Sequence, residues 1–205
     1  MRRKPDPDRR RRELCDAAIR LLADDGVKGV SHLKVDRKAG FPEGTTSFYF
    51  RTRSALLQAV ALRVAELDLK DLTTATRSPS STPAGPSGLA TLVIRSARGA
   101  RLIRTKARQE LALQAARDPQ LDAAFHSYGD RFVALIKAAV LQLQPADTAA
   151  DPDLADRQAF VVMMFIGGVM QALAAGDRRI RDAEELDALI SGIVAGISSS
   201  ATLRK

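Results

Sequence analysis

Few side chains in this chain can act as nucleophiles, proton carriers or metal ligands, and none of them falls in a catalytic pattern. The 205 residues include one cysteine, Cys15, and two histidines, His32 and His126. These three residues lack the spacing of a metal site. The Gly167-Gly168 pair lies in an apolar helical segment and lacks the surroundings of a dinucleotide-binding loop. The sequence therefore predicts no enzyme, no metal site and no cofactor.

The chemistry that the sequence does offer is cationic and concentrated near the N-terminus. The formal net charge is +8, and residues 1–53 hold fourteen Lys/Arg against eight Asp/Glu. A cationic segment of this kind favours a polyanionic partner such as nucleic acid. A basic disordered tail without a specific target has the same composition, and charge alone does not separate the two interpretations.

Cysteine content and apolar runs indicate the compartment. A single cysteine excludes an intrachain disulfide and fits a reducing cytoplasm. The basic stretch Met1–Arg12 is not followed by the apolar region of a secretory signal. The longest apolar run, Ala159–Met170, has twelve residues and is too short to cross a bilayer. We therefore expect a cytoplasmic protein that does not enter a membrane.

Periodicity predicts helix throughout, because Ala and Leu dominate and β-branched residues rarely run together. Two short helices are predicted at Ser31–Ala39 and Glu43–Phe50, an amphipathic helix at Leu89–Arg104 and one long helix at about Pro119–Leu143. A stretch rich in Pro, Ser, Gly and Thr interrupts the helical pattern. The expected organisation is a disordered basic tail (1–8), a DNA-binding domain (9–53), a connecting helix (54–72), a flexible linker (73–88) and a helical body (89–205).

The turn Gly40-Phe41-Pro42 separates the two short helices at the spacing of a helix-turn-helix. Two short crossed helices cannot build a core alone, so the helices before and after them must supply apolar surface. Leu14 and Leu21 precede the pair, and Leu56 and Val60 follow it. The second short helix is then free to lie in the major groove of DNA.

The segment that contains this pair resembles the DNA-binding domain of the tetracycline-repressor (TetR) family. It reads ELCDAAIRLLADDGVKGVSHLKVDRKAGFPEGTTSFYFRTRSALLQAV. The features that carry the resemblance are Asp25-Gly26, Val30-Ser31, Ala39-Gly40-Phe41, Gly44-Thr45, Tyr49-Phe50, Arg53 and Leu56-Leu57. Four features depart from the family pattern. Asp36 replaces a small apolar residue, Thr46 replaces an aliphatic one and Ser47 replaces a tyrosine. Pro42-Glu43 takes the place of a polar cap followed by a basic residue.

The resemblance implies which residues meet DNA. The recognition helix presents or flanks the groove with Glu43, Thr45, Thr46, Ser47 and Phe48. Short hydroxyls reach a base edge or a phosphate, a carboxylate accepts from cytosine N4, and a phenyl ring contacts a thymine methyl. For Thr45 and Ser47, ordinary exposed side chains without a DNA role remain the alternative.

The resemblance also implies backbone contacts outside the recognition helix. Arg53 resembles the family's phosphate-binding basic residue. Ser31 and Lys34, at the first short helix, are expected to contact the DNA backbone. Arg9–Arg12 are expected to form an arm that enters the minor groove, with Arg9 and Arg10 as its DNA-binding residues. A solvated tail is the alternative interpretation of that arm.

The helical body resembles the family's ligand-binding and dimerisation domain. Its last two helices are expected to form a symmetric dimer through Phe160, Gly167, Gly168, Leu186, Leu189, Ile190, Ile193, Val194 and Ile197, although a purely intrachain pair remains open. Family members place pocket walls at the positions of Phe125, Tyr128, Phe132, Met163, Met164 and Phe165, although plain core is the commoner explanation of apolar residues at helical spacing.

The sequence thus predicts an all-α, ligand-responsive dimeric repressor of the TetR type, with an N-terminal helix-turn-helix domain and a helical-bundle body. Its expected partners are a palindromic double-stranded DNA operator, a second copy of the chain and an unidentified small-molecule effector. Two alternatives are a helical protein-interaction module and a nucleic-acid binder without sequence preference.

Overall fold

The computed structural model describes residues 6–77, 85–144 and 151–202, which contain helices and turns and no strand. The first helices are α1 (Pro7–Asp25), α2 (His32–Ala39), α3 (Thr45–Tyr49) and α4 (Arg53–Arg77), with a 3-10 turn at Val27–Gly29. The others are α5 (Gly88–Arg95), α6 (Gly99–Ala115), α7 (Pro119–His126), α8 (Gly129–Leu143), α9 (Pro152–Ala174) and α10 (Ala183–Thr202). The all-α class is confirmed.

Packing divides the chain into two units. The first unit comprises the chain up to Asp68 together with Gly99–Tyr128, and the second comprises Leu69–Arg98 together with the chain from Gly129 onward. The sequence-based boundaries placed everything after residue 88 in one body. The structure differs because α6 and α7 carry Leu111 and Leu121, which are buried in the core of the first unit.

In the first unit, α1 supplies the central apolar face. The Asp6 carboxylate caps α1 by accepting hydrogen bonds from the amides of Asp8 (3.0 Å) and Arg9 (3.2 Å), and Pro7 occupies the first turn. Leu14 and Leu22 are fully buried on this helix, together with α4 and α6 residues of the same core. The described structure therefore places Pro7 and Asp8 in α1, whereas the sequence predicts a tail over 1–8.

The second unit is built on α8, α9 and α10, with α5 packed against α9 and α10. Its core includes Val162 and Ile190, both inaccessible to solvent. A buried amide joins three elements: Gln158 donates from Nε2 to the carbonyl of Val194 (2.9 Å), and its Oε1 accepts from Nε2 of Gln144 (2.5 Å). A buried polar side chain whose hydrogen bonds are all satisfied fixes the register of the helices that it joins.

By length and composition alone α9 is apolar enough to cross a membrane, a test that core helices of soluble proteins also pass. Here α9 carries Leu154, Val162, Ile166 and Leu173 on its buried face. This face packs in the core of the second unit, and 33% of the most apolar 18-residue stretch of α9 is buried.

Two helix boundaries differ from the sequence-based ones. The predicted single helix over Pro119–Leu143 is wrong: it breaks into α7 and α8 at Ser127-Tyr128, where the Ser127 hydroxyl donates to the Ala124 carbonyl at 2.9 Å. The predicted helix from Leu89 to Arg104 is also wrong: it breaks into α5 and α6 at Gly99, whose φ of +56° stops a right-handed helix.

Candidate nucleic-acid interface

The turn between α2 and α3 depends on two glycines. Ser31 caps α2, since its Oγ accepts from the Lys34 amide at 3.3 Å. Gly40 ends α2 with a φ of +70°, a left-handed conformation in which glycine carries no Cβ penalty. Gly44 precedes α3 with a φ of +92°. The predicted helix-turn-helix is present, although α3 begins at Thr45 rather than Glu43.

A buried carboxylate lies beneath the start of α3. The Asp36 side chain is 1% exposed and accepts from the amides of Gly44 (2.9 Å) and Thr46 (2.7 Å) and from the Thr46 hydroxyl (2.5 Å). Thr46 itself is 0% exposed. The prediction that Thr46 meets DNA is therefore wrong, because its hydroxyl bonds to Asp36 inside the protein.

The opposite side of α3 faces solvent. Ser47 is exposed, and the Phe48 ring is 74% exposed while its edge meets the Tyr49 ring at a centroid distance of 5.2 Å. Thr45 is half-buried and donates its hydroxyl to the Pro42 carbonyl at 2.6 Å. The exposed Glu43 pairs with Arg37 at 3.1 Å. Four of the five predicted groove residues thus lie at or near one exposed surface.

The predicted backbone-contact residues are exposed on the elements before and after α3 in the chain. The exposed Arg53 donates from Nε to the Val30 carbonyl (3.0 Å) and from Nη2 to the Val27 carbonyl (2.5 Å). Ser31 and Lys34 are exposed on α2. Arg53 therefore anchors the start of α4 to the turn after α1, a role that the sequence did not indicate.

The basic N-terminal residues belong to a helix. Arg9 and Arg10 lie in the first turns of α1 and pair with Glu13 at 2.9 and 3.5 Å. The Arg10 guanidinium also lies 3.9 Å from the centre of the Phe41 ring, a cation–π contact. Because the Asp6 cap starts α1 before them, Arg9–Arg12 lie within this helix, and their entry into the minor groove stays a prediction.

Burial sets the chemistry of the one cysteine. Cys15 is 4% exposed in α1, and burial, followed by the neighbouring Asp16 carboxylate, raises the pKa of its thiol from the usual 9.0 to about 12. A thiol with this pKa is protonated at neutral pH, and the protonated form is a poor nucleophile. On the other side of Asp16, the Arg63 guanidinium donates to its carboxylate at 2.9 Å, and this hydrogen bond raises the pKa of Arg63.

The six predicted pocket residues divide between the two units. Phe125 is half-buried against the core of the first unit, whereas Phe132, Met163 and Phe165 are half-buried against the core of the second. Tyr128 is half-buried in the first unit, and Met164 is 54% exposed in the second. The two described clefts lie in the first unit, and neither is lined by any of the six.

The predicted dimerisation residues divide into two faces. Leu186, Ile190 and Val194 are at most 1% exposed inside the second unit, so their assignment to a dimer interface is wrong. Ile193 and Ile197 are half-buried. Exposed on α9 and α10 are Phe160 (60%) and Leu189 (43%), with Gly167 and Gly168 beside them on α9.

Neighbouring exposed residues extend this face beyond the prediction. Val161 is 39% exposed, and Ala188, Gly192 and Gly196 are exposed on α10. A Cβ added at any of the four glycines on these two helices would meet nothing within 4 Å. The helical spacing of Ala188, Gly192 and Gly196 was the signal that could have separated this face from the buried stripe.

Comparison with known proteins agrees with this architecture. A family model described as "Tetracyclin repressor-like, C-terminal domain" matches residues 84–196. No curated protein matches the sequence. The identities with the solved structures described next are all below 25%, so that similarity concerns the fold.

Three solved structures cover nearly the whole chain. A transcriptional regulator from Pseudomonas aeruginosa is 19% identical with a TM-score of 0.74, over 98% of this chain and 96% of that one. A protein from Mesorhizobium loti, assigned to the TetR-family transcriptional regulators, is 20% identical with a TM-score of 0.63, over 96% and 98%. The multidrug binding protein EbrR, complexed with proflavin, is 24% identical with a TM-score of 0.58, over 92% and 99%.

Proposed function

The chain belongs to the TetR family of transcriptional regulators, and from that premise we propose that it is a ligand-responsive dimeric repressor that binds a palindromic operator. The observation that carries the proposal is the outward face of α3, where Ser47 and Phe48 are exposed while Thr46 and Phe50 are buried. A short helix that keeps one polar and aromatic face in solvent, on a cationic domain, is suited to the major groove. We place this function in the cytoplasm, without catalysis and without membrane insertion.

Base recognition is assigned to the exposed residues of α3 and its approach. The Ser47 hydroxyl both donates and accepts hydrogen bonds, and the Phe48 ring is suited to a thymine methyl. Glu43 accepts from cytosine N4 once it leaves its exposed pair with Arg37, which is worth little in water. The Thr45 hydroxyl can accept from a base donor while it donates to the Pro42 carbonyl, and it must release that carbonyl to donate to a phosphate.

Phosphate contacts are assigned to exposed groups around α3. A guanidinium has five N–H donors, so Arg53 retains donors for a phosphate while it holds the Val27 and Val30 carbonyls. Lys34 supplies a further cation from α2, Ser31 supplies a hydroxyl, and the exposed Arg9 adds a third cation from α1. Such contacts position the protein on DNA and carry no sequence information.

Dimerisation is assigned to the exposed face of α9 and α10. Phe160, Met164 and Leu189 leave large apolar side chains in solvent, and contiguous exposed apolar surface marks an interaction site. The open glycines on the same face allow two backbones to approach closely. A twofold-symmetric dimer presents two copies of α3, which suits the two half-sites of a palindrome.

An effector site is assigned to the helical body, at the half-buried Phe132, Met163 and Phe165. The support is their mixed aromatic and thioether character, which suits an apolar ligand, together with the structural neighbour EbrR, which binds proflavin. Proflavin is therefore a rational first probe. If it binds, its fluorescence changes on titration, and Phe132→Ala weakens the change more than Phe125→Ala does.

A binding titration tests the DNA-binding function. The protein is mixed with a random duplex pool, the retained duplexes are sequenced, and the enriched duplex is titrated against a scrambled one at several salt concentrations. One enriched inverted repeat, bound more tightly than the scrambled duplex, supports the repressor. Equal affinity for all duplexes with a steep salt slope indicates a nucleic-acid binder without preference. No binding even at low salt indicates a helical interaction module.

A further inference from the structure

Two side chains of α2 hold the two ends of α3. Asp36 contacts the first residues of α3, and Nε2 of His32 lies 2.7 Å from the carbonyl oxygen of Phe50, the residue that ends it. His32 and Asp36 are four residues apart, so they lie on one face of α2. One face of α2 thus spans the whole length of the recognition helix.

The recognition helix needs outside support because its own sequence is a poor helix former. It has five residues, and three of them are Thr45, Thr46 and Ser47, which have low helix propensity. A helix of this length is not stable alone. The residue before it, Gly44, has no side chain to cap its free amides.

Asp36 supplies the missing cap from another helix. Its two oxygens accept from the amides of Gly44 and Thr46, which are among the free donors of a helix start. One of these oxygens also accepts from the Thr46 hydroxyl. Hydrogen bonds to a buried carboxylate are short and directional, so they fix the position of their donors. The exposed Ser47 and Phe48 follow directly in the chain.

Two of the departures from the family pattern, Asp36 and Thr46, therefore form one interaction. Asp36 is a polar residue at a helix crossing, and Thr46 is the residue that faces it; both are at most 1% exposed. Each would be costly if it were buried without the other, because an unsatisfied buried polar group destabilises the fold. Together they give α3 a polar attachment to α2 at the position where the resemblance implies apolar packing.

We propose that Asp36 and His32 are positioning residues that set the orientation of α3 through Thr46 and Phe50, and so determine which DNA sequence is bound without contacting DNA. This inference rests on the proposed function. Base readout requires side chains placed to within about half an ångström, whereas phosphate contacts tolerate displacement. A displaced α3 therefore loses operator affinity and keeps affinity for random DNA.

The test uses two threonine variants of the full chain and a matched control. Thr46→Val removes the hydroxyl at nearly constant shape, and Thr46→Ser keeps it. Thr105→Val makes the same change at another buried threonine, 2% exposed on α6. Asp36→Ala removes the cap itself, and His32→Ala removes the contact at the other end. Each variant is titrated with the duplex enriched by the natural protein and with a scrambled duplex, and its helix content is measured by circular dichroism.

We expect Asp36→Ala and Thr46→Val to bind the enriched duplex at least about tenfold more weakly, the effect of one lost base contact. Their affinity for the scrambled duplex stays within about twofold, because phosphate contacts are unaffected. His32→Ala shows a smaller loss in the same direction. Thr46→Ser and Thr105→Val bind both duplexes like the natural protein.

Two outcomes would overturn the inference. In one, folded Thr46→Val keeps full affinity for the enriched duplex; in the other, its affinities for both duplexes fall in parallel. If Asp36→Ala is unfolded, Thr46→Val decides. If the natural protein enriches no duplex, the proposed function fails, and amide exchange decides the positioning claim separately. Faster exchange of the amides at positions 44 and 46 in either variant supports the cap, and unchanged exchange refutes it.

Discussion

Replacing Gly88 tests the close approach of α5 to the end of α4 in the second unit. Gly88 is the first residue of α5, and a Cβ built on it would lie 1.9 Å from the carbonyl oxygen of Ala75 near the end of α4. Observed Cβ contacts are essentially never shorter than 3.0 Å, and the obstacle is backbone rather than a flexible side chain. Gly88→Ala therefore forces α4 and α5 apart.

The size of the effect follows from two opposing terms. Backbone displacement by overpacking costs about 1–3 kcal/mol, and more when the backbone cannot yield. The alanine also stabilises the fold by about 0.4–1 kcal/mol, because it lowers the conformational entropy of the unfolded chain. We expect a net loss of about 1–2 kcal/mol, which lowers Tm by about 2–8 °C in a chain of this length.

Gly129→Ala is the matched control, because Gly129 is likewise the first residue of its helix, α8, and a Cβ there meets nothing within 4 Å. Thermal unfolding of both variants is followed by circular dichroism at 222 nm. Gly129→Ala should melt at or slightly above the temperature of the natural protein. Equal melting of Gly88→Ala and Gly129→Ala would show that the approach of α5 to Ala75 is not tight.

Two further predictions concern the dimer face and the buried thiol. Leu189→Arg should give monomers on analytical ultracentrifugation, because it places a charge in the proposed interface. Leu141→Arg, at a similarly exposed leucine on α8, should leave the dimer intact. If Leu189→Arg is still a dimer, α10 is not part of the interface. Cys15, whose pKa burial raises to about 12, should react with a thiol reagent at pH 8 only after denaturation. The thiol of the unfolded chain ionises above its usual pKa of 9.0, while the thiol of the folded chain stays protonated up to about pH 12. Cys15 therefore lowers the stability of the fold as pH rises from about 9 towards 12. Fast labelling of the native protein would contradict both statements.

Local signals predicted the helix-turn-helix well. Ser31 begins α2 as its cap and Gly40 ends it in a left-handed conformation, and both effects depend on residues only a few positions apart. The breaks at Gly99 and Ser127 were missed because the apolar periodicity continues across them. The membership of α6 in the first unit was missed for a different reason: it depends on packing against α1, which is distant in the sequence.

Site residues were predicted as far as a single helix face could identify them. The wide stripe of α10 joined Leu186 and Leu189, because residues three apart lie only about 60° from each other around the helix axis. Only the core of the second unit shows that one is buried and the other exposed. The pairing of Asp36 with Thr46 spans ten positions and two helices, so each looked like an isolated departure in the sequence.

The central claim, that the outward face of α3 reads bases, is tested most directly by comparing the sequences that variants select. The natural protein, Ser47→Ala and Phe48→Ala are each given the same random duplex pool, and the enriched motifs are sequenced. The account predicts one inverted repeat for the natural protein and relaxed preference at one or two symmetric positions for each variant. Identical motifs from all three proteins would contradict it.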